Sequence, residues 1–122
     1  IPLYGGADTH QGWMLSLSAG AQVGRVLAHP AQGSAKRAFA VEVIDDSMSP
    51  RFEMGEIAYV VANTMPRRGQ DCLLEHDDLT ARILQFVERT ERQVIFKQLS
   101  PPKQVILKPG EKFSVHAIVG RG

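Results

Sequence analysis

The sequence predicts a compact, mainly β domain behind a flexible N-terminal arm, and three observations carry that expectation. Apolar residues recur in short runs that alternate or cluster as strands do; the runs are divided by Gly, Pro and charged groups; and their period is that of strands rather than of a helix. At 122 residues, with 43% hydrophobic and 22% charged positions, the chain has enough apolar material for one core and too little for two.

Residues 1–37 read as the arm. Gly5 and Gly6 loosen its start, the stretch from His29 to Lys36 reads as linker or loop, and weaker strand signals at Trp13 to Leu17 and Val23 to Leu27 surround Ser18-Ala19-Gly20-Ala21. The β domain is expected over residues 38–122. Its first strand runs from Ala38 to Ile44, where Phe39, Val41 and Val43 alternate with Ala40, Glu42 and Ile44. Glu56 to Val61 is rich in Ile, Tyr and Val, and Gln70 to Glu75 carries Cys72, Leu73 and Leu74. Leu79 to Val87, Gln93 to Gln98, Val105 to Lys108 and Phe113 to Val119 complete seven strands, with Glu88 to Arg92 as a charged hairpin tip and Pro109-Gly110 as a turn.

Composition excludes several functions. Fourteen Lys and Arg against thirteen Asp and Glu give a net charge of +1, without the basic excess that phosphate-backbone binding uses, so this chain is not expected to read nucleic acid by itself. A single cysteine, Cys72, forms no intramolecular disulfide, which fits a reducing, cytoplasmic setting. The apolar stretch from Ile57 to Ala62 falls far short of the roughly 20 residues of a membrane-spanning helix, so no membrane partner is expected. His10 and His29 lack metal-ligand spacing to each other or to Cys72, and neither metal nor cofactor is expected. The first residue is Ile1 rather than Met, which reads as a fragment of a longer protein.

One segment carries chemistry. Asp45-Asp46-Ser47-Met48-Ser49-Pro50 leaves the first strand of the domain. A serine at such a strand exit, on a turn stiffened by Pro50, can be held exposed as a nucleophile. The plainer reading is that Asp46 and Ser47 satisfy turn and cap hydrogen bonds.

The order of segments resembles the LexA-like, or S24 peptidase, family of self-cleaving regulators and phage repressor C-terminal domains. Ser47-Met48 with Pro50 is similar to the family's Gly-Asp-Ser-Met-x-Pro turn, and Met54-Gly55-Glu56-Ile57 to Val60 to its Gly-Asp-x-Val-x-Val strand. Gly69-Gln70-Asp71-Cys72-Leu73 resembles the next Gly-Asp-x-Val segment, and Ala117-Ile118-Val119-Gly120 the closing strand. These short matches are colinear over most of Val41 to Gly120, and Ile1-Pro2-Leu3-Tyr4-Gly5 looks like the start of the family's cleavage-site region. The resemblance implies a LexA/signal-peptidase-like β domain that forms homodimers, attached behind a DNA-binding domain upstream of this chain, with a recombinase filament as a possible co-protease. It also implies Ser47 as the nucleophile, supported by Asp46, Met48 and Pro50.

The sequence departs from the family at the general base. The lysine position falls on the strand from Leu79 to Val87, which reads Thr80-Ala81-Arg82-Ile83-Leu84, so Arg82 stands there. A buried lysine can shed its proton near neutral pH, whereas arginine keeps its own and cannot act as a base. Lys36, Lys97, Lys103, Lys108 and Lys112 fit the position less well. His76 and His116 are candidate replacement bases, although each also reads as an ordinary turn or strand histidine. The family's Gly before Asp-Ser is Asp45 here, and the family's Ala-Gly scissile pair occurs only at Ala19-Gly20, later than the pattern places it.

Two functions remain from the sequence: a repressor's regulatory and dimerisation domain with lost or impaired self-cleavage, or an active serine self-protease with another base. A plain β-barrel binding module is the third reading. The repressor reading carries an expectation about Arg82, as the partner of Asp45 or Asp46 in an ion pair or as the wall of an anion pocket. In either family reading, Ser47 and Arg82 are expected to face one cleft.

Overall fold

The structure is a computed structural model that describes residues 1–9 and 12–122. His10 lies outside the described residues. Among them the chain is almost entirely β: β1 (Pro2–Tyr4), β2 (Gly6–Thr9), β3 (Gly12–Ser16), β4 (Gln22–Arg25), β5 (Ala38–Glu42), β6 (Ile57–Val61), β7 (Asp71–His76), β8 (Thr80–Arg89), β9 (Val94–Leu99), β10 (Pro102–Leu107) and β11 (Phe113–Arg121). Two short 3₁₀ turns, Ala19–Ala21 and Pro30–Gln32, interrupt the N-terminal third.

The strands form one sheet in the order β10-β9-β8-β7-β11-β6-β5-β1-β4, while β3 pairs with both β2 and β8. Pairing is antiparallel except between β1 and β5. Strand alternation supplies two cores from the same backbone. From β7 and β8, Leu73, Ala81 and Ile83 enter one core with Val41, Val43 and Val60. Cys72, Leu74, Leu84 and Phe86 enter the other, with Val94 and Phe96. Burial pushes the Cys72 thiol up to about 12, and the adjacent Asp71 adds to the shift.

The seven strands expected from Ala38 onward are all present, with every end within three residues of its expected place. Residues 1–37 differ from a free arm. β1 lies between β4 and β5, Leu3 pairing with Gly24 on one side and Ala40 on the other, and β3 reaches β8 through Leu15–Ala81 and Ser16–Thr80. The two weaker strand signals are present as β3 and β4, and edge pairing explains their place: β3 gains a backbone partner in β8, and β1, too short to announce itself by alternation, gains partners in β4 and β5. The Gly-rich start is close-packed, since a Cβ on Gly5 would meet Val23 at 3.0 Å and one on Gly6 would meet Ile44 at 3.1 Å.

The stretch from His29 to Lys36, read from sequence as a loop, contains a buried plug. Gln32 is 3% exposed. Its Oε1 accepts from the His29 amide at 2.8 Å, and its Nε2 donates to the carbonyls of Phe39 at 3.1 Å and Val60 at 3.0 Å, across the β5–β6 pair. His29 in turn accepts from the Ala31 amide through Nδ1 at 3.0 Å, and its ring lies 5.2 Å from that of Tyr59.

Three outcomes test this packing. Gln32→Leu orphans three backbone groups and is expected to cost about 1–3 kcal/mol in urea denaturation. Phe96→Ala, at a fully buried position, is expected to cost about 3–5 kcal/mol. A thiol reagent at mildly alkaline pH is expected to label Cys72 only after denaturation, because the reactive thiolate is suppressed in the folded chain.

Candidate active site

The segment between β5 and β6 is built around two buried anchors. Val43 still pairs across the hairpin, donating to the Glu56 carbonyl at 2.8 Å and accepting from the Gly55 amide at 2.9 Å. The chain then leaves the sheet. Met48 and Phe52, each 2% exposed, lie one helical turn apart, and the Phe52 amide donates to the Met48 carbonyl at 3.0 Å. Their side chains enter the first core and hold the turn down from inside. Gly55 closes it with φ +92°, a left-handed conformation that costs glycine least.

From outside, the Arg51 guanidinium makes a forked pair with Asp71, Nε to Oδ1 and Nη2 to Oδ2 both at 2.8 Å. The Asp71 bond raises the Arg51 pKa above its ordinary value. Arg121 donates to the Arg51 carbonyl, and the Ser49 hydroxyl donates to Glu53 at 3.0 Å. Gly69, at φ +82°, turns the chain into β7 so that Asp71 can meet Arg51. The glycines and acidic residues of the short motifs thus hold the serine turn against the sheet.

Ser47 is half-buried. Its hydroxyl donates to Asp45 Oδ1 at 2.7 Å, and its amide reaches the same oxygen at 3.1 Å. Its carbonyl accepts from Leu99 at 3.1 Å and Ser100 at 2.9 Å. Those two amides come from the end of β9, whose pairing with β8 begins at Lys97–Gln85. Because β3 covers β8 only at Thr80 and Ala81, the outer edge of β8 has no strand partner among the described residues from Arg82 to Leu84.

A cleft of about 530 Å³ lies at this gap. Ser47, Asp45 and Met48 line it from the turn, Thr80 to Ile83 from β8, Met14 and Leu15 from β3, and Gln98 from β9. His76, Asp77 and Asp78 also line it. Ser47 and Arg82 therefore share one cleft. The Thr80 hydroxyl and amide bind Asp78 at 2.5 and 3.0 Å and hold its carboxyl below the usual range.

The expected ion pair between Arg82 and Asp45 or Asp46 is absent: among the described residues no hydrogen bond or salt bridge joins them. Asp45 spends one carboxylate oxygen on its own Ser47, and Asp46 is exposed. The Arg82 Nε is buried with no acceptor among the described residues. Burial lowers the guanidinium pKa from its ordinary value, yet an arginine starts so high that it stays charged.

The other sequence candidates separate clearly. Lys36, Lys97, Lys103, Lys108 and Lys112 are all exposed, and no lysine lines the cleft. His116, 4% exposed, lies away from it; its Nδ1 accepts from the Asn63 amide at 2.8 Å, which leaves Nε2 to meet Glu75 at 2.7 Å. His76 is half-buried and does line the cleft. Ala19 and Gly20 are exposed on a 3₁₀ turn and do not line it, because the chain leaves β8 after Leu17 donates to the Leu79 carbonyl at 2.9 Å. The sequence reading missed Met14, Leu15, Gln98, Asp77 and Asp78, which reach the cleft only through strand pairing. Among the described residues no group of three or more His, Cys, Asp or Glu is placed to hold a metal ion.

The arrangement offers a serine hydroxyl bonded to a carboxylate, with a half-buried cation on the same cleft and no lysine lining it.

The sequence profile described as Peptidase S24-like matches residues 13–120, from β3 through β11. Repressor protein C of Rhizobium phage 16-3 is 31% identical over 101 residues, covering 76% of this chain and 38% of the phage protein. The chain thus spans well under half the length of that curated relative. With the profile matched over most of the sequence and the motif glycines and serine turn in the geometry just described, the chain belongs to the Peptidase S24-like family.

Proposed function

We propose that this chain is the C-terminal regulatory and dimerisation domain of a cytoplasmic repressor of phage or prophage type, with self-cleavage impaired by Arg82 at the general-base position. The observation that carries this reading is the cleft itself, which Ser47 and Arg82 both line and no lysine does. As residue types, carboxylates are weak bases toward an alcohol, so Asp45 does not replace the missing amine. The similarity to a protein named as a repressor supports the regulatory role. Pairing two copies of such a domain would raise the effective concentration of two attached DNA-binding domains at neighbouring half-sites.

A second reading is favoured by one observation. His76 lines the same cleft, and neutral imidazole is a competent base. An autocleaving serine protease would then use Ser47 as nucleophile, His76 as base and turn amides around Met48 to hold the oxyanion.

Full-length protein incubated at alkaline pH, and with activated recombinase filament, separates the two readings on a gel. Intact protein is expected. Arg82→Lys is expected to raise cleavage by about 10²–10⁴-fold, the contribution of a positioned base, and Ser47→Ala added to it should remove the fragments. Efficient cleavage of the unaltered protein, abolished by Ser47→Ala and by His76→Ala, would establish the second reading instead.

A further inference from the structure

His116 is a buried titratable group that the serine turn does not use. Its ring, 4% exposed on β11, is bonded at both nitrogens. Nδ1 accepts from the Asn63 amide at 2.8 Å, so the proton of the neutral imidazole is on Nε2, which donates to Glu75 Oε1 at 2.7 Å. The elements packed around the ring bring little other charge. From β7 comes Glu75, the one charged group within 4.0 Å of the ring among the described residues. From β5 comes the Phe39 ring, edge-on with its centroid 5.9 Å away, while Lys36 and Arg37 just before that strand are exposed. Cys72, the strand neighbour of Ala117, turns into the second core.

Protonation has opposite consequences at the two nitrogens. The added proton goes on Nδ1, where it faces the Asn63 N–H, and two donors make no hydrogen bond. At Nε2 the bond to Glu75 becomes charge-assisted and strengthens. Glu75 therefore keeps the ring in place while the contact with Asn63 is lost. Asn63 is poised to leave, because its φ of +55° is a left-handed conformation that costs a residue bearing a Cβ. Among the described residues, its bond to His116 is the only hydrogen bond that ties the segment 63–65 to the sheet. The neighbours on either side are anchored independently: the Ala62 amide donates to the Arg37 carbonyl at 2.9 Å, and Pro66 is buried. Asn63 and Met65 line a groove of about 860 Å³ together with Val94, Phe113 and Val115.

We propose that His116 is an acid-sensitive latch on this groove. Neutral, it holds the segment 63–65 in place; protonated, it releases Asn63, and the segment and the groove it lines change shape. Histidine is the side chain whose ordinary titration falls between pH 5 and 8, so the released form is expected on acidification within that range. The latch is separate from the Ser47 cleft and does not depend on whether the chain cuts itself.

Nitrogen-15 and proton spectra of the chain, titrated from about pH 8 to about pH 5, test the latch. The amide resonances of Asn63, Thr64 and Met65 are expected to shift with the same midpoint as the His116 ring. Protection of the Asn63 amide from hydrogen exchange, corrected for the intrinsic effect of pH, is expected to fall about tenfold, the scale of one hydrogen bond. His116→Asn offers a side-chain carbonyl near the position of Nδ1 and does not titrate, so it should keep Asn63 protected at both ends of the range. His116→Phe has no acceptor and should show the low protection already at the upper end. His10, His29 and His76 remain in both variants, so a response that they cause would persist. Circular dichroism checks that each variant is folded, and the titration of the unaltered chain decides by itself where one is not. A His116 ring that does not titrate before the chain unfolds, Asn63 resonances with a different midpoint, equal protection at both ends of the range, or a response that survives His116→Asn would overturn the proposal.

Discussion

The site depends on where β9 stops pairing with β8. Two antiparallel strands gain a ladder bond for each continued residue, so their separation after Lys97 needs another acceptor for the amides of Leu99 and Ser100. The Ser47 carbonyl is that acceptor. The same contact draws the serine turn to the sheet and leaves β8 bare at Arg82, so the functional turn and the cleft beside it arise from one redirected pair of hydrogen bonds. Met48 and Phe52 fasten the turn from the core side, and the Arg51–Asp71 fork fastens it from solvent.

Arg82 gives that cleft its character. Lysine and arginine are alike in charge on the surface, but in a buried site they diverge, because burial can neutralise the amine and leaves the guanidinium charged. On the proposed reading, an arginine at this position would remove proton transfer while keeping a cation on the cleft. Asp45, which stands where the family has glycine, binds the Ser47 hydroxyl and opposes negative charge on it. On that reading both residues disfavour an alkoxide at Ser47.

How much of this was legible follows from the range of each interaction. The strands from Ala38 to Val119 announce themselves because buried faces impose a period of two on consecutive residues. The glycines at 55 and 69 are legible for a similar reason, since a left-handed backbone selects the residue type locally. By contrast β1 and β2 are short, and what holds β1 is backbone pairing to β4 and β5, which leaves no pattern in side chains. Gln32 sits in a stretch that reads as a loop, and its burial is decided by carbonyls of Phe39 and Val60 that only the folded β5–β6 pair brings together.

By itself, then, the sequence determined the β class, the Ser47 turn and the chemical consequence of an arginine at position 82, because alternation, turn geometry and side-chain basicity are written in single residues or their near neighbours. The tertiary structure alone decided that Arg82 has no ion-pair partner among the described residues, that Met14 and Leu15 line the cleft while Ala19 and Gly20 stay outside it, and that His76 lines it while His116 does not. Those outcomes depend on which strand edges pair and where pairing stops, and backbone hydrogen bonds between distant segments carry no residue code.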